Sequence, residues 1–425
     1  MNLVKVLFWV SAAVVAYTYL GYGVVISVLA AVRPRPHRQA AIRPRVSLII
    51  AAYNEEAVIR DKILNSLGQT YPGDLVEIIV ASDGSTDATP LIVNAFADRG
   101  VVSLHTPARD GKAAAVQRAV EQARGEILVF SDANSMYTPD AIEQLVLSFA
   151  DPEVGCVAGE KQIRGHDDAG AAREAGLYWR YESYLKRMDS RVNSVVGAAG
   201  EIFAVRRSLF QPAEPDSIIE DFIISMRLAE AGHRVVYEPS AVSIEEPPAS
   251  ISDEFERRAR ISAGGFQSMV RLRALLTSPR RLLVFQYVSH RMLRWGVVPF
   301  LLPVLALTNV LLARQPLYRL LLAAQLSVLG LAGAGWVSEA RGRPASRLAR
   351  VPFYFYMLNV AALVGFGRYI SGRQAVTWKR TDRLAPSLDG RPATAPSSPG
   401  AQPTDVASEP SRVLPGQRSG GEVYR

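Results

Sequence analysis

Three acidic signatures fall where apolar, strand-like runs end or a helical pattern begins: Asp83 after 76–81, Asp132 with Asn134 after 127–130, and Glu220-Asp221. Carboxylates at the ends of parallel strands are well placed to hold a divalent cation and a nucleotide, because ligands of open α/β sheets bind beyond the carboxyl edge. Asp132 and Asn134 stand two positions apart, so in an extended loop both reach one cation. Hard oxygen ligands of this kind suit Mg2+ or Mn2+, with diphosphate oxygens completing the shell. Lys112, behind Gly111 at a helix start, suits a phosphate because the ammonium and the helix dipole act together. Asp221 has the chemistry of a general base, a carboxylate that takes a proton from an attacking hydroxyl.

Each signature alone also has an ordinary structural reading. Asx residues after strands form turns, SDGSTD caps a helix, and Glu220-Asp221 complements a helix dipole by a few tenths to about 1 kcal/mol. The five-residue glycine spacing of a P-loop is absent, which disfavours ordinary NTPase chemistry.

The elements that must position these residues follow from periodicity. Short β-branched runs at 46–52, 76–81, 101–104 and 127–130 alternate with helical patterns at 56–66, 88–99, 111–124 and 139–149, as in a doubly wound, mostly parallel α/β sheet. Beyond residue 150 the pattern becomes mixed. Strands are expected at 154–158, 202–205 and 235–237, with helices at 169–187 and 219–232.

The chain has 425 residues, which is more than one core usually holds, and its apolar residues gather at the flanks. The stretch 6–32 has no charged side chain and is long enough to span a bilayer, as are 295–313, 320–338 and 351–367, or nearly so. The expected organisation is a membrane helix within 1–35, an α/β domain over 44–252, amphipathic interfacial helices over 253–294, three apolar segments over 295–370, and a disordered Pro/Ser-rich tail over 385–425.

Net charge is +8, but the arginines track the membrane segments rather than forming a groove-reading face, so no nucleic-acid partner is expected. Arg33 to Arg45 and Arg341 to Arg350 place 33–294 and 339–350 in the cytoplasm by the positive-inside rule. Four crossings would then leave the C-terminus outside, yet Arg368, Arg373, Lys379, Arg380 and Arg383 follow the last run. Either one apolar run is re-entrant or interfacial, or this basic segment is translocated. The single cysteine, Cys156, excludes an intramolecular disulfide and a multi-cysteine metal site.

Taken in order, YNEE, SDGSTD, a GK-opened helix, SDAN, GAAGEIFAVRR and IIEDFIISMRLAEAGHRVVYEP resemble the family 2 inverting glycosyltransferases with a GT-A fold, over about residues 44–265. The flanking apolar helices and RRARISAGG extend the likeness to membrane-integral members of the exopolysaccharide-synthase type. The resemblance implies a cytoplasmic-membrane hexosyltransferase that moves sugar from a nucleotide sugar, a UDP-sugar first, to a glycan or polyprenyl-linked acceptor among membrane lipid. It further implies that Ala52, Tyr53 and Glu55 line the nucleotide pocket, that Asp83 contacts the uracil or ribose, and that Lys112 lies near the nucleotide. Asp132 and Asn134 would bind Mg2+ or Mn2+ and diphosphate. Gly197 to Glu201 would border the acceptor, Glu220 would stand beside the base Asp221, and Arg257 and Arg260 would approach the donor diphosphate.

Two departures bear on that implication. Asn134 replaces the second aspartate of many processive members, and Arg257-Arg258-Ala259-Arg260-Ile261 stands where they carry Gln-x-x-Arg-Trp. The alternatives are a transferase moving one sugar onto polyprenyl phosphate and a catalytically silent membrane scaffold.

Overall fold

The first apolar stretch is helical throughout, as α1 (Asn2–Ala16), a π-helical turn (Tyr17–Gly21) and α2 (Tyr22–Val32). The computed structural model describes residues 2–163, 170–247, 250–341, 343 and 345–377, and side chains are not described for 170–178. The tail expected at 385–425, together with Lys379, Arg380, Arg383 and the side chain of Tyr178, lies outside the described residues.

A mixed sheet follows. In chain order the elements are β1 (Val46–Ala52), α3 (Ile59–Leu67), β2 (Val76–Asp83), α4 (Thr89–Asn94), β3 (Val101–Thr106), α5 (Lys112–Gln122), β4 (Ile127–Asp132), β5 (Met136–Tyr137), α6 (Ala141–Leu147), β6 (Val154–Ile163), α7 (Gly170–Val192), β7 (Phe203–Arg206), α8 (Glu220–Ala231) and β8 (Arg234–Glu245). The strand order is β3-β2-β1-β4-β7-β6-β8-β5. β3, β2, β1 and β4 are all parallel, β7 is antiparallel to both its neighbours, β6 and β8 are parallel, and β5 is antiparallel to β8.

Every residue of β1 is buried because helices cover both faces of the parallel half. Alternation divides that strand between two cores. Leu48 and Ile50 pack with Ile59 and Ile63 of α3 and Ile142 of α6, whereas Ile49 and Ala51 pack with Val116 of α5 and Phe222 of α8.

Register brings the acidic strand ends to one edge. Ala51 lies opposite Asp132, and Ala52 lies opposite Ser82, the residue before Asp83. β7 runs antiparallel to β4 from Phe203, which pairs with Phe130, so the segment before β7 returns to that same edge.

The membrane-side helices are α9 (Ile251–Arg271), α10 (Arg281–Tyr287), a π-helical segment (Val288–Val297), α11 (Val298–Leu312), α12 (Pro316–Ala340) and α13 (Arg347–Ile370). α9 starts at Ser250, whose hydroxyl accepts the Asp253 N–H at 3.1 Å as an N-cap. Among the described residues four helical stretches are long and apolar enough to cross a membrane: Leu3–Val32, Arg281–Leu312, Pro316–Ala340 and Arg347–Ile370. The run expected from residue 295 is thus the second half of a longer helix. Its first half carries charged side chains that are neutralised by acids of α7 (Glu182 with Arg291 and Arg294), which hydropathy alone reads as a polar boundary.

Candidate active site

At the carboxyl edge of the parallel half, Lys112 opens α5 and projects its ammonium onto two carboxylates, 2.6 Å from Asp132 Oδ1 and 3.0 Å from Glu220 Oε1. The segment Gly197 to Glu201 approaches from the other side: a Cβ placed on Gly200 would stand 2.7 Å from Lys112 Nζ and 3.4 Å from Asp221 Oδ2, so the backbone there lies directly against both side chains. Arg260 adds a half-buried guanidinium, which donates to the Ile218 carbonyl at 3.4 Å and feels the fields of Glu220, Asp132 and Asp221. Lys112, Asp132, Gly200, Glu220, Asp221 and Arg260 therefore converge, although they come from α5, β4, the segment before β7, α8 and α9.

Acid excess shapes the electrostatics. Burial and the adjacent Glu220 push the Asp221 carboxyl up to about 7, against the pull of Lys112. Burial also raises Asp132, although Lys112 opposes it. Burial disfavours the Lys112 ammonium, but Asp132, Glu220 and Asp221 outweigh that cost and hold its pKa well above the usual value.

Glu201 sits at the rim and is buried. Its carboxylate pairs with Lys161 and, at 3.2 Å, with Arg257. Burial would raise its pKa, yet these cations hold it well below the usual carboxylate range. Lys161 also reaches Glu245 at 2.7 Å, and Ser135 donates to the other oxygen of Glu245 at 2.6 Å. The Asp132–Asn134 turn is thereby tied to β8. Buried Lys62 of α3 secures it from below by donating to the Ser135 carbonyl, and burial lowers that lysine to about 7.

The other candidates form a second group along the edge. Asp83 is fully buried and accepts the N–H groups of Asp110 (3.1 Å) and Gly111 (2.8 Å) and a guanidinium N–H of Arg118 (3.1 Å). Tyr53 lies under Arg109, whose guanidinium carbon is 3.5 Å from the ring centroid. Ala52 is buried, and the Glu55 N–H donates to Thr89 at 2.8 Å. In this arrangement segment 107–111 covers the Tyr53–Asp83 end of the edge. Gly197 packs on Phe222 instead of facing Lys112.

Sequence reasoning missed Arg109, Arg118, Lys161 and Lys62. The first two lie in or after the segment that opens α5, near Lys112. Nothing in the local pattern marks Lys161 or Lys62, whose partners are remote in sequence.

The family model described as Glycosyl transferase family 2 matches residues 47–212, which run from β1 past β7 and hold Lys112, Asp132 and Gly200. Over that stretch the chain resembles a glycosyltransferase family 2 domain. Among curated relatives, the poly-β-1,6-N-acetyl-D-glucosamine synthase of Staphylococcus aureus (strain COL) is 26% identical over 231 residues, 53% of this chain and 56% of that protein. Its counterpart from Staphylococcus epidermidis is 27% identical over 233 residues, with the same coverage. The chain thus spans about half the length of the curated relatives it matches. A solved structure, the mannosyltransferase PcManGT from Pyrobaculum calidifontis in complex with GDP-Man and Mn2+, superposes with a TM-score of 0.69 at 23% identity, covering 86% of this chain and 99% of that one. That likeness bears out the expected fold: a GT-A-type α/β domain flanked by apolar helices.

The oxygen donor set at the end of β4 fits a divalent cation. Asp132 and Asn134 offer hard oxygens, Asp132 is 32% exposed, and a cationic ammonium already lies against it. Among the described residues no group of three or more His, Cys, Asp or Glu side chains is arranged as a metal site, so most ligands would have to come from outside the protein.

Proposed function

We propose that this domain transfers a sugar from a nucleotide sugar, a UDP-sugar first, to a glycan or lipid-linked acceptor at the membrane, with inversion, in polysaccharide or cell-envelope synthesis. The observation that carries this reading is the meeting of Asp221 and Glu220, which lie just beyond the family 2 match, with Lys112 and Asp132, which lie within it, at the sheet edge. The acceptor oxygen bonds to the anomeric carbon, the bond from that carbon to the diphosphate breaks, and the acceptor proton passes to the Asp221 carboxylate. Lys112 and Arg260 stabilise charge gathering on the departing diphosphate, in a partly desolvated setting where such charges act strongly. Asp132 and Asn134 would hold Mg2+ or Mn2+, which when bound neutralises diphosphate charge. The similar proteins, a synthase of an N-acetylglucosamine polymer and a mannosyltransferase solved with GDP-mannose, suggest the donors to try.

A cavity of about 320 Å³ between α7, α9, the π-helical segment, α13 and the first membrane helix supports an acceptor arriving from the bilayer. Tyr181, Arg258, Ile261, Trp295, Tyr354 and Asn359 line it, mixing aromatic faces with hydrogen-bonding groups. Ile261 stands there in place of the tryptophan of processive members, which favours the second reading, a single sugar moved onto polyprenyl phosphate.

The packing of α13 also bears on the charge conflict. α13 lies along α9: Gly365 is set against the Ala259 carbonyl, and Arg368 holds Glu256 through contacts of 2.7 and 2.9 Å. This supports α13 as the interfacial segment, leaving three crossings and a basic C-terminal segment on the cytoplasmic side with the domain. A Ser371→Cys variant should then react with a membrane-impermeant maleimide only in inside-out vesicles. Labelling of intact cells would reverse that assignment.

The function itself is tested with purified protein in lipid, offered UDP-N-acetylglucosamine, UDP-glucose and GDP-mannose with Mg2+ or Mn2+, while nucleotide release is followed. Donor-dependent release that rises with a lipid-linked or glycan acceptor supports transfer. A chain that binds none of these donors and releases no nucleotide is the silent scaffold.

A further inference from the structure

The π-helical segment Val288–Val297 interrupts an otherwise α-helical apolar stretch, and it does so where that stretch passes the catalytic domain. π-Helical turns inside α-helices recur at functional sites because they reposition side chains that regular winding would point elsewhere. Here the winding directs Arg291 and Trp295 toward the two elements that frame the proposed base.

Arg291 makes two contacts. One guanidinium nitrogen holds Glu182 of α7 at 2.7 Å, and Nε donates to the Val196 carbonyl at 3.0 Å. Val196 precedes Gly197, whose φ of +90° favours glycine and where a Cβ would come within 2.2 Å of the Phe222 ring. Phe222 follows Asp221, and Trp295 packs on it with ring centroids 5.4 Å apart. The next N–H, from Ala198, donates to Ser225 at 2.9 Å, and the Ser225 hydroxyl donates to the Asp221 carbonyl at 2.8 Å. One membrane helix therefore fixes the backbone of the Gly197–Glu201 border with Arg291 and the first turn of α8 with Trp295.

Glu182 does not depend on Arg291 alone. It also holds Arg294 at 2.7 Å and faces a His290 ring nitrogen at 3.4 Å, while the other His290 nitrogen faces Asp189 at 2.6 Å. Losing Arg291 leaves that cluster with partners, whereas the Val196 carbonyl loses this donor.

We propose that Arg291 is a positioning residue for transfer: it acts from the membrane helix, through the Val196 carbonyl and Gly197, to set the distance between the acceptor border and Asp221. The inference rests on Asp221 being the base. A misplacement near 1 Å at a reacting centre costs on the order of 100-fold in rate, so a modest shift of this loop is readable in turnover.

The test uses full-length protein in lipid and two variants, Arg291→Gln and Arg291→Lys. Lysine keeps a cation for Glu182 but lacks the planar fork that serves Glu182 and Val196 together. Both variants should lose roughly 10- to 100-fold in kcat, with donor KM within about twofold of wild type. Arg291→Lys should melt as wild type does. Amide hydrogen exchange should accelerate over 195–201 and 219–223, and stay unchanged over β1 and β2. Full kcat in Arg291→Lys, or exchange unchanged over 195–201, overturns the proposal. So does loss of donor binding in step with loss of folding, which is a purely structural role. If wild type transfers no sugar, the functional reading fails, and the exchange measurement still decides whether Arg291 fixes the border.

Discussion

Two charge clusters, one at the sheet edge and one between α7 and the π-helical segment, are built to opposite rules. At the sheet edge Asp132, Glu220 and Asp221 share Lys112, with Arg260 nearby, and Asp132 stays 32% exposed. On the membrane side Glu182 faces Arg291, Arg294 and His290, while Asp189, with no exposure, accepts from Tyr22 and Gln286 and faces His290. The consequence appears in the carboxyl groups. Asp132 and Asp221 are pushed up, whereas Glu182, despite burial, is held well below its usual range by Arg291, His290 and Arg294. An acid-rich, partly open cluster has capacity left for a further cation or a proton. A cation-rich, sealed one has none, and serves to clamp α7 to the membrane helix.

The largest effect should come from the open cluster. Asp221→Asn removes the proposed proton acceptor, so transfer should fall by about 100- to 10,000-fold while nucleotide binding stays nearly intact. Kinetics beside calorimetric binding of the nucleotide checks this. Retained turnover would end the assignment of Asp221 as base.

Stability should separate the clusters in the other direction. Glu182→Gln leaves Arg291 and Arg294 buried beside a neutral amide, and breaking a buried pair from one side typically costs about 3–5 kcal/mol. Asp132→Asn instead relieves acid crowding and leaves Lys112 with Glu220, so its unfolding midpoint should move little while the Mg2+ or Mn2+ needed for half-maximal transfer rises. Denaturant unfolding of both variants decides it. Equal losses would mean that the two clusters do the same job.

A smaller, graded effect follows from proton occupancy at Asp221. Burial and Glu220 push its pKa up to about 7, above the ordinary carboxylate value, so the proposed base is free above that pH and is lost as pH falls through it. At one pH unit below, kcat should be about tenfold down from its plateau. The profile of kcat between pH 5 and 9 checks the sign. A flat profile would mean that proton uptake at this carboxyl does not limit the reaction.

How much of this is legible in the sequence differs between the halves of the sheet. β1 and the starts of β2 and β4 read directly, because buried parallel strands are continuous β-branched runs and the acids that end them sit in turn-forming sequences. β8 does not. Its apolar residues at 235–237 predict only a short strand, but the strand continues through Glu238-Pro239-Ser240 to Glu245, since β6 keeps pairing with it past a register shift between Ala158 and Glu160. The acids of the site are legible as types and order, and their partners are not. Asp83 reads as a strand-end carboxylate, yet what seals it is a pair of backbone N–H groups at 110 and 111, which carry no side-chain signature. Lys161 and Arg291 find their acids across the fold, a relation that only packing creates.

The smallest effect belongs to a charge pair with neither burial nor crowding. Glu256 of α9, with 57% of its side chain exposed, holds Arg368 near the end of α13 at 2.7 Å. Exposed pairs of this kind contribute roughly 0–1 kcal/mol, because water screens the attraction and both side chains lose freedom in making it. Glu256→Gln should therefore shift the unfolding free energy by less than about 1 kcal/mol, and the shift should shrink as salt is raised. A loss as large as that of Glu182→Gln, insensitive to salt, would mean that the α9–α13 contact is shielded from water by the bilayer. In that case α13 lies deeper than an interfacial helix, and the three-crossing arrangement fails along with the contrast between a sealed clamp and an open edge.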